Sequence, residues 1–207
     1  STLTDQEFTR ARAFFDAPDY EVLDFAKSNS ELTDKCAQDP IFGNWVKRNT
    51  QAHRVPGYRV VTISLKATGF PPGDLTAEQL LLLADLSDKY SFGEMRTTHQ
   101  QNMVLADVKM SGLYNLWVHL QAAGLATPNI GYLTDIICCP GGDYCSLANA
   151  KSLPVAEAIQ MRFDDLDYVY DLGPLELNIS GCMNACGHHH IGHIGILGVD
   201  KKGQGFY

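Results

Sequence analysis

The chain has 207 residues, of which 45% are hydrophobic, and a formal net charge of −8. This composition suffices for a buried core, and an acidic chain lacks the basic face that a general nucleic-acid binder needs. No apolar run approaches the ~18 residues of a membrane span, and charged residues stand where a signal peptide would be apolar. We therefore expect a soluble, cytoplasmic protein with no nucleic-acid partner and no membrane insertion.

Residues 1–52 carry amphipathic helical patterns and no motif. We predict helices over residues 5–15, 20–27 and 41–47, with a break at Asp39-Pro40. The aromatic residues of this region are interpreted as packing anchors: Phe14, Phe15, Phe42 and Trp45. The region is interpreted as a helical connecting segment.

Residues 53–125 alternate between strand and helix patterns. A β-branched run predicts a strand over residues 58–66, and Thr76 with Gln79 forms a capping box for a helix that ends near Tyr90. A second strand region is predicted over residues 95–108, with polar residues crowded at 97–102. Helical spacing over residues 111–123 ends at Gly124, a good left-handed C-cap. This order predicts a compact α+β unit, which is either half of a larger domain or a small domain that docks on another.

Residues 126–207 form the third part. A helix start is predicted at residues 146–151, a helix within 154–167, and strands over 175–180 and 194–199, the second followed by a turn at 200–203. The chain stops a few residues after that turn, which leaves the last strand without a partner in the predicted fold. We expect an α/β domain that is incomplete at its C-terminus.

Four cysteines form two pairs, C-x5-C and C-x3-C, separated by 36 residues: Cys139 with Cys145 and Cys182 with Cys186. A five-residue spacer is loose for a tetrahedral zinc knuckle and favours an iron–sulfur cluster, whose thiolates spread over a larger object. The Pro140-Gly141-Gly142 loop can direct backbone N–H groups at sulfur. Zinc and unligated core thiols remain alternatives, and Cys138 and Cys36 are interpreted as packed free thiols.

The sequence C-C-P-G-G-D-Y-C followed by N-I-S-G-C-M-N-A-C-G resembles the siroheme and 4Fe–4S signature of the sulfite and nitrite reductase hemoproteins. Upstream, R-V-P-G-Y-R-V-V-T-I-S-L-K and R-T-T-H-Q-Q-N-M-V-L resemble the ferredoxin-like half-domain of that family. The resemblance runs from about residue 53 to 207. It implies a half-domain over 53–125 and a siroheme and 4Fe–4S domain over 126–207.

The resemblance implies a function and a set of site residues. Cys139, Cys145, Cys182 and Cys186 would hold the 4Fe–4S cluster, and Cys186 would also be the axial ligand of the siroheme iron. The reaction implied is the six-electron reduction of sulfite to sulfide, favoured here over nitrite reduction to ammonia. The electron donor would be a flavoprotein or a ferredoxin.

Four further residues are candidate siroheme contacts. Asn184 and Gln101 match polar contacts of the family, and Arg96 and His99 are candidates for the carboxylates of the macrocycle. The packing of a strand does not explain the six polar residues from Thr97 to Asn102, which favours a binding role.

The chain resembles only the second of two repeats in the family, so we expect a fragment. The residues that bind the anionic substrate would come mainly from the remaining half of the same hemoprotein, and the fragment alone would be inactive. A non-catalytic electron-transfer module and a folded but empty fragment are the rival interpretations.

A further motif follows Cys186. Four histidines stand at positions 188, 189, 190 and 193. If the segment is extended, His188 and His190 share one face and His189 and His193 the other, so they would not bind one ion together. Structural roles, hydrogen bonds to cofactor carboxylates and a separate metal site all stay open.

Overall fold

The structure is a computed structural model that describes residues 3–15 and 17–207. It has the mixed α/β architecture that the sequence predicts. None of the helices within these residues combines the length and the apolar character that crossing a membrane requires. The helices are α1 Asp5–Arg12, α2 Phe25–Gln38, α3 Pro40–Asn49, α4 Ala77–Tyr90, α5 Leu113–Ala122, α6 Ser152–Arg162 and α7 Leu166–Leu172. The strands are β1 Thr50–Ala52, β2 Tyr58–Ile63, β3 Arg96–Thr97, β4 Met103–Lys109, β5 Ile137–Cys138, β6 Leu177–Ser180, β7 Ile194–Leu197, β8 Val199–Lys201 and β9 Gln204–Phe206.

The N-terminal helices differ from the prediction: α1 ends at Arg12 instead of residue 15, and α2 extends to Gln38, beyond any predicted helix. The helix predicted over residues 20–27 is wrong, because α2 begins only at Phe25, where the Asp24 carboxylate accepts the Lys27 N–H at 3.1 Å. The break at Asp39-Pro40 is confirmed. Asp39 ends α2 and caps α3, and Pro40 occupies the first turn of α3, where its missing N–H costs nothing.

The first sheet has the strand order β1-β2-β4-β3, and all its neighbours are antiparallel. One hydrophobic core joins this sheet to α2, α3, α4 and α5. Phe42 and Trp45 are fully buried in it, which confirms them as packing residues. Phe14 and Phe15 are 82% and 83% exposed, so the same prediction is wrong for them. The capping box of α4, formed by Thr76 and Gln79, is confirmed.

The polar segment before β4 is a turn and not part of a continuous strand. β3 ends at Thr97, and the Thr98 N–H donates to the Asn102 carbonyl at 2.9 Å, which reverses the chain into β4. Gln101 lies in the left-handed region with φ 58°, a conformation that no regular strand accommodates. The prediction of one strand over residues 95–108 therefore fails at its polar centre.

The second sheet is parallel, with the order β5-β6-β7. A separate hydrophobic core lies between it and the helices α6 and α7, and includes Ile136, Val169 and Ile179. The helix predicted within 154–167 is confirmed as α6, which ends at Arg162. Asp165 then caps α7, which the sequence did not predict. The helix start predicted at residues 146–151 is wrong, since α6 begins at Ser152.

The last strands form a hairpin. β7 ends at Leu197, and β8 pairs antiparallel with β9 through a turn in which Lys202 and Gly203 have φ 58° and 78°. Two consecutive residues with positive φ are the signature of a tight hairpin turn. The turn predicted over residues 200–203 is thus shorter than expected. The last strand, which the sequence analysis left without a partner, is β9, and it pairs with β8.

Candidate iron–sulfur site

The two cysteine loops meet at the carboxyl ends of β5 and β6. These strands are parallel neighbours, with Cys138 paired to Ile179, so Cys139 and Cys182 both leave the sheet at the same edge. The carboxyl edge of a parallel sheet is where binding loops converge in α/β folds. The parallel pairing therefore brings together two motifs that are far apart in the sequence.

The Cys139 thiol lies in a polar surrounding within the protein. Its residue is 8% exposed. Its sulfur accepts the Gly181 N–H at 3.1 Å and lies 3.5 Å from the Ser152 hydroxyl. Backbone N–H donors around sulfur stabilise thiolate and cluster sulfur alike. The donor is Gly181 and not the Pro140-Gly141-Gly142 loop proposed from the sequence, because the Gly142 N–H is bonded to the Ala150 carbonyl at 2.9 Å.

Two glycines allow the loop that carries Cys182 and Cys186 to lie close to the backbone of neighbouring segments. A Cβ on Gly181 would stand 2.7 Å from the Ala150 carbonyl oxygen, and a Cβ on Gly187 would stand 1.9 Å from the Ile179 carbonyl oxygen. Both positions are closer than side-chain carbons come to backbone atoms. The Gly187 N–H also donates to the Ser180 hydroxyl at 3.1 Å. The loop that carries Cys182 and Cys186 is thereby held against the end of β6.

The four cysteines differ in accessibility. Cys139 and Cys182 are buried, Cys145 is half-buried and Cys186 is exposed. Within residues 3–15 and 17–207, no three His, Cys, Asp or Glu side chains are grouped closely enough to hold a metal ion. The donor set fits a 4Fe–4S cluster chemically, since it offers four thiols on two adjoining loops and an N–H already directed at one sulfur. Their role as cluster ligands stays a prediction.

Of the two remaining thiols, Cys138 is buried and Cys36 is half-buried. Cys138 is buried in the core of the second sheet, and burial raises the pKa of its thiol to about 12, with Cys139 adding to the rise. Cys36 packs against the first core, and burial raises its pKa too. These surroundings keep both thiols protonated at neutral pH and match their interpretation as packed free thiols.

Gln101 is connected to the cysteine loop directly. Its side-chain oxygen accepts the Cys138 N–H at 2.9 Å, and its side-chain nitrogen donates to the Cys138 carbonyl at 2.7 Å. The amide therefore pairs with the peptide of the residue before Cys139. Each amide atom has capacity for one further bond, so the pairing leaves room for a siroheme contact.

The other candidate siroheme contacts lie at the surface. Arg96 is exposed in β3 and pairs with Glu94, His99 is exposed in the turn before β4, and Asn184 is exposed between Cys182 and Cys186. His99 lines a cavity of about 310 Å³ together with Asp135, Asn178 and His188, whereas Arg96 lines a different one with Arg12 and Glu94. The roles of all three stay predictions.

The four histidines lie in a series of turns and not in an extended segment. The His188 N–H donates to the Ala185 carbonyl, the Ile191 N–H donates to the His188 carbonyl, and His188 itself has φ 55°. The sharing of faces by His188 with His190 and by His189 with His193 was predicted for an extended segment. In a series of turns this alternation does not occur. The His193 ring nitrogen accepts the Glu176 N–H at 3.1 Å, which gives this histidine a structural contact.

Two residues beside the site were missed in the sequence. Lys66 follows β2 and is buried against Asp135, which precedes β5, with 3.5 Å between the ammonium and the carboxylate. Burial lowers the pKa of Lys66, and Asp135 offsets part of that effect. A lysine at the end of an apolar strand was the one available signal, but its partner lies 69 residues further along the chain.

Part of the chain matches a known family, and longer stretches match known proteins. Residues 54–123 match the family described as the nitrite/sulfite reductase ferredoxin-like half domain. The chain is 32% identical over 135 residues to the assimilatory ferredoxin-dependent nitrite reductase of Haloferax mediterranei, which covers 64% of the chain and 23% of the relative. It is 26% identical over 186 residues to the ferredoxin-dependent sulfite reductase 2 of Mycolicibacterium paratuberculosis, which covers 86% of the chain and 32% of the relative.

A solved structure shares the fold. The NirA protein of Mycobacterium tuberculosis superimposes with a TM-score of 0.58 at 26% identity, over 74% of this chain and 28% of that protein. The chain spans about a quarter to a third of the length of the relatives that it matches. These relatives include reductases of both nitrite and sulfite.

Proposed function

We propose that this chain forms part of an enzyme that reduces sulfite to sulfide or nitrite to ammonia with siroheme and a 4Fe–4S cluster. Residues 54–123 match the nitrite/sulfite reductase ferredoxin-like half domain, and the relatives named above are nitrite and sulfite reductases. The observation that carries the proposal is the meeting of the two cysteine loops at one edge of a parallel sheet, with the Cys139 sulfur accepting a backbone N–H. A thiol that only packs in a core needs no such donor.

The proposed ligands of the cluster are Cys139, Cys145, Cys182 and Cys186. The cofactors, when bound, would supply the redox chemistry by storing electrons and delivering them to the anion. The exposure of Cys186, with the exposed Asn184 two residues before it, supports the proposal that these two residues would help to hold siroheme, with Cys186 as a ligand of its iron.

The residues of the chain itself would position and insulate the site. The Gly181 N–H and the Ser152 hydroxyl stabilise negative charge on the Cys139 sulfur. Gln101 fixes the peptide that leads into Cys139, and Gly187 lets the second loop lie against β6 without an intervening side chain. Burial of Cys139 and Cys182 keeps water away from their sulfurs.

Substrate and partners are proposed from the relatives. Both anions appear in their names, so the preference for sulfite that the sequence suggested stays a prediction. The same names favour a ferredoxin over a flavoprotein as electron donor. We further propose that the remaining half of the hemoprotein supplies the groups that bind the anion, and that the enzyme acts in the cytoplasm.

The test is the content of iron and acid-labile sulfide in the full chain, produced in cells that make siroheme and purified without oxygen. We expect about four acid-labile sulfides and about five irons per chain, four in the cluster and one in siroheme, together with the strong visible bands of siroheme. Cys139→Ala should lose the iron and the sulfide. Cys138→Ala is the matched control, because the neighbouring thiol faces the core, and it should keep both.

Three results would contradict the proposal. Zinc bound in place of iron would assign the cysteines to a structural metal site. Equal iron loss from Cys138→Ala and Cys139→Ala would remove the distinction between the two thiols. A chain that takes up neither iron nor siroheme after anaerobic reconstitution would show that these loops do not hold the cofactors.

A further inference from the structure

Lys66 is a buried ammonium that the proposed chemistry does not use. Its side chain has no exposed surface, and it lies between the first sheet and the segment that leads into Cys139. Moving an ammonium from water into a protein is expensive unless every N–H finds an acceptor. A lysine here therefore requires a compensating set of contacts.

The acceptors of Lys66 come from two separate parts of the chain. Its ammonium donates to the Gln100 carbonyl at 2.7 Å and to the Ile136 carbonyl at 2.8 Å, and it faces the Asp135 carboxylate at 3.5 Å. An ammonium has three donors, and all three are used. Lys66 thus connects the turn before β4 to the residues that precede β5.

Both of these parts continue directly to the cysteine loop. Gln101 follows Gln100 and pairs with the Cys138 peptide through its side-chain amide, while Ile136 leads through β5 to Cys139. Gln101 holds a left-handed backbone with φ 58°. Such a conformation is unfavourable in a residue other than glycine and persists only where its surroundings enforce it. The bond from Lys66 to the preceding carbonyl is one such constraint.

Neighbouring polar side chains hold the acceptors of Lys66 in place. Asn102 donates to the Asp135 carboxylate at 2.9 Å and accepts the Leu65 N–H at 3.1 Å. The second carboxylate oxygen of Asp135 accepts the Gly131 N–H at 3.0 Å. Every named group is satisfied, which makes this network rigid and sensitive to the removal of its central cation.

We infer that Lys66 is a positioning residue for the cysteine site: by binding the Gln100 and Ile136 carbonyls together, it holds the Gln101 amide on the Cys138 peptide and so sets the position of the Cys139 thiol. The part of the inference that concerns cluster loading rests on the proposed function. The part that concerns the Cys138 peptide rests on the metal-free chain alone.

The experiment compares the full wild-type chain with Lys66→Met and with the double variant Lys66→Met/Asp135→Asn. The double variant avoids an unpaired buried carboxylate, so it keeps the fold available if the single variant unfolds. Lys109→Met is the matched control, because Lys109 is also a paired lysine of the first sheet but lies at its surface, beside Glu21. Hydrogen exchange of the Cys138 amide in the metal-free chain is the first measurement.

We expect the Cys138 amide to exchange about fivefold faster or more in the Lys66 variants, because its acceptor on Gln101 is no longer held. Amides of α5 should be unchanged, which separates local loosening from global destabilisation. Reconstitution with iron and sulfide should then show an affinity that is lower by about 10- to 100-fold, as for other residues that orient metal ligands. An altered electron paramagnetic resonance spectrum of the reduced cluster should accompany it.

Unchanged exchange at Cys138 in a folded Lys66 variant, equal to that of Lys109→Met, would overturn the inference. So would faster exchange spread evenly over α5 and β4, which would make Lys66 a residue of general stability. A wild-type chain that takes up no iron would refute the proposed function, and the exchange measurement would still decide the role of Lys66.

Discussion

Gly187 is the position where a single added carbon should disturb the site most. Its Cβ would stand 1.9 Å from the Ile179 carbonyl oxygen, 2.8 Å from the Ile179 carbonyl carbon and 3.2 Å from the Cys139 nitrogen. All three are backbone atoms of the sheet, so no flexible side chain can move aside. In Gly187→Ala the loop that carries Cys186 must therefore move away from β6.

The expected cost follows from these contacts. Forcing a methyl group into a packed backbone costs ~1–3 kcal/mol. Displacement of the loop also removes the hydrogen bond from the Gly187 N–H to the Ser180 hydroxyl, which contributes ~1 kcal/mol. We expect a loss of about 2–4 kcal/mol in the free energy of unfolding. With a urea dependence of ~2 kcal/mol per molar, the unfolding midpoint should fall by about 1–2 M.

Gly142→Ala is the matched control in the other cysteine loop. The nearest atom to its Cβ would be the Lys151 Cγ at 3.5 Å, an ordinary van der Waals contact, and its N–H would still donate to the Ala150 carbonyl. Urea unfolding followed by tryptophan fluorescence and circular dichroism gives both midpoints. If Gly187→Ala and Gly142→Ala unfold at the wild-type midpoint, the close contact between the loop and β6 is wrong.

Two tyrosines provide further predictions. Tyr20→Phe should lower the free energy of unfolding by about 1–2 kcal/mol, because the Tyr20 hydroxyl donates to the Asp107 carboxylate at 2.6 Å. Tyr144→Phe, at an exposed position, should have no effect in the same urea titration, and an equal loss in both would contradict the role of the bond. For Tyr170, burial raises the pKa of the phenol, whose hydroxyl donates to the Pro128 carbonyl at 2.8 Å. A folded pKa above the unfolded value gives stability that is complete below the usual tyrosine pKa of ~10 and is lost as pH rises through the raised value. The stability advantage of wild type over Tyr170→Phe should therefore shrink above about pH 10, and an advantage that grows there would refute the assignment.

Much of the fold could be predicted because its signals are local. The capping box at Thr76 and Gln79 involves residues three apart, and the alternation of β6 is visible within a few positions. The turn before β4 could not be predicted in this way. Its reversal depends on a glutamine in the left-handed region, which the residue type disfavours, and the surrounding contacts that enforce this conformation come from remote segments.

In the candidate site, too, the local signals could be predicted from the sequence and the remote contacts could not. Cysteine spacing predicted which thiols matter, and the crowding of polar residues near Gln101 indicated that this segment has a role beyond packing. The partner of Gln101, however, is the Cys138 peptide, 37 residues along the chain. The pairing of Lys66 with Asp135 is equally remote. Contacts of this kind follow from the docking of two sheets, which a pattern within either sheet does not specify.

Cys139 and Cys186 differ in their contacts and in their exposure. Three links hold this residue without any metal: its N–H donates to the Ile179 carbonyl at 3.1 Å, its sulfur accepts from Gly181, and the preceding peptide pairs with Gln101. Cys186 instead lies exposed in a series of turns. In the proposed cluster site, Cys139 would therefore be the ligand held in place before any metal binds, and Cys186 the accessible one.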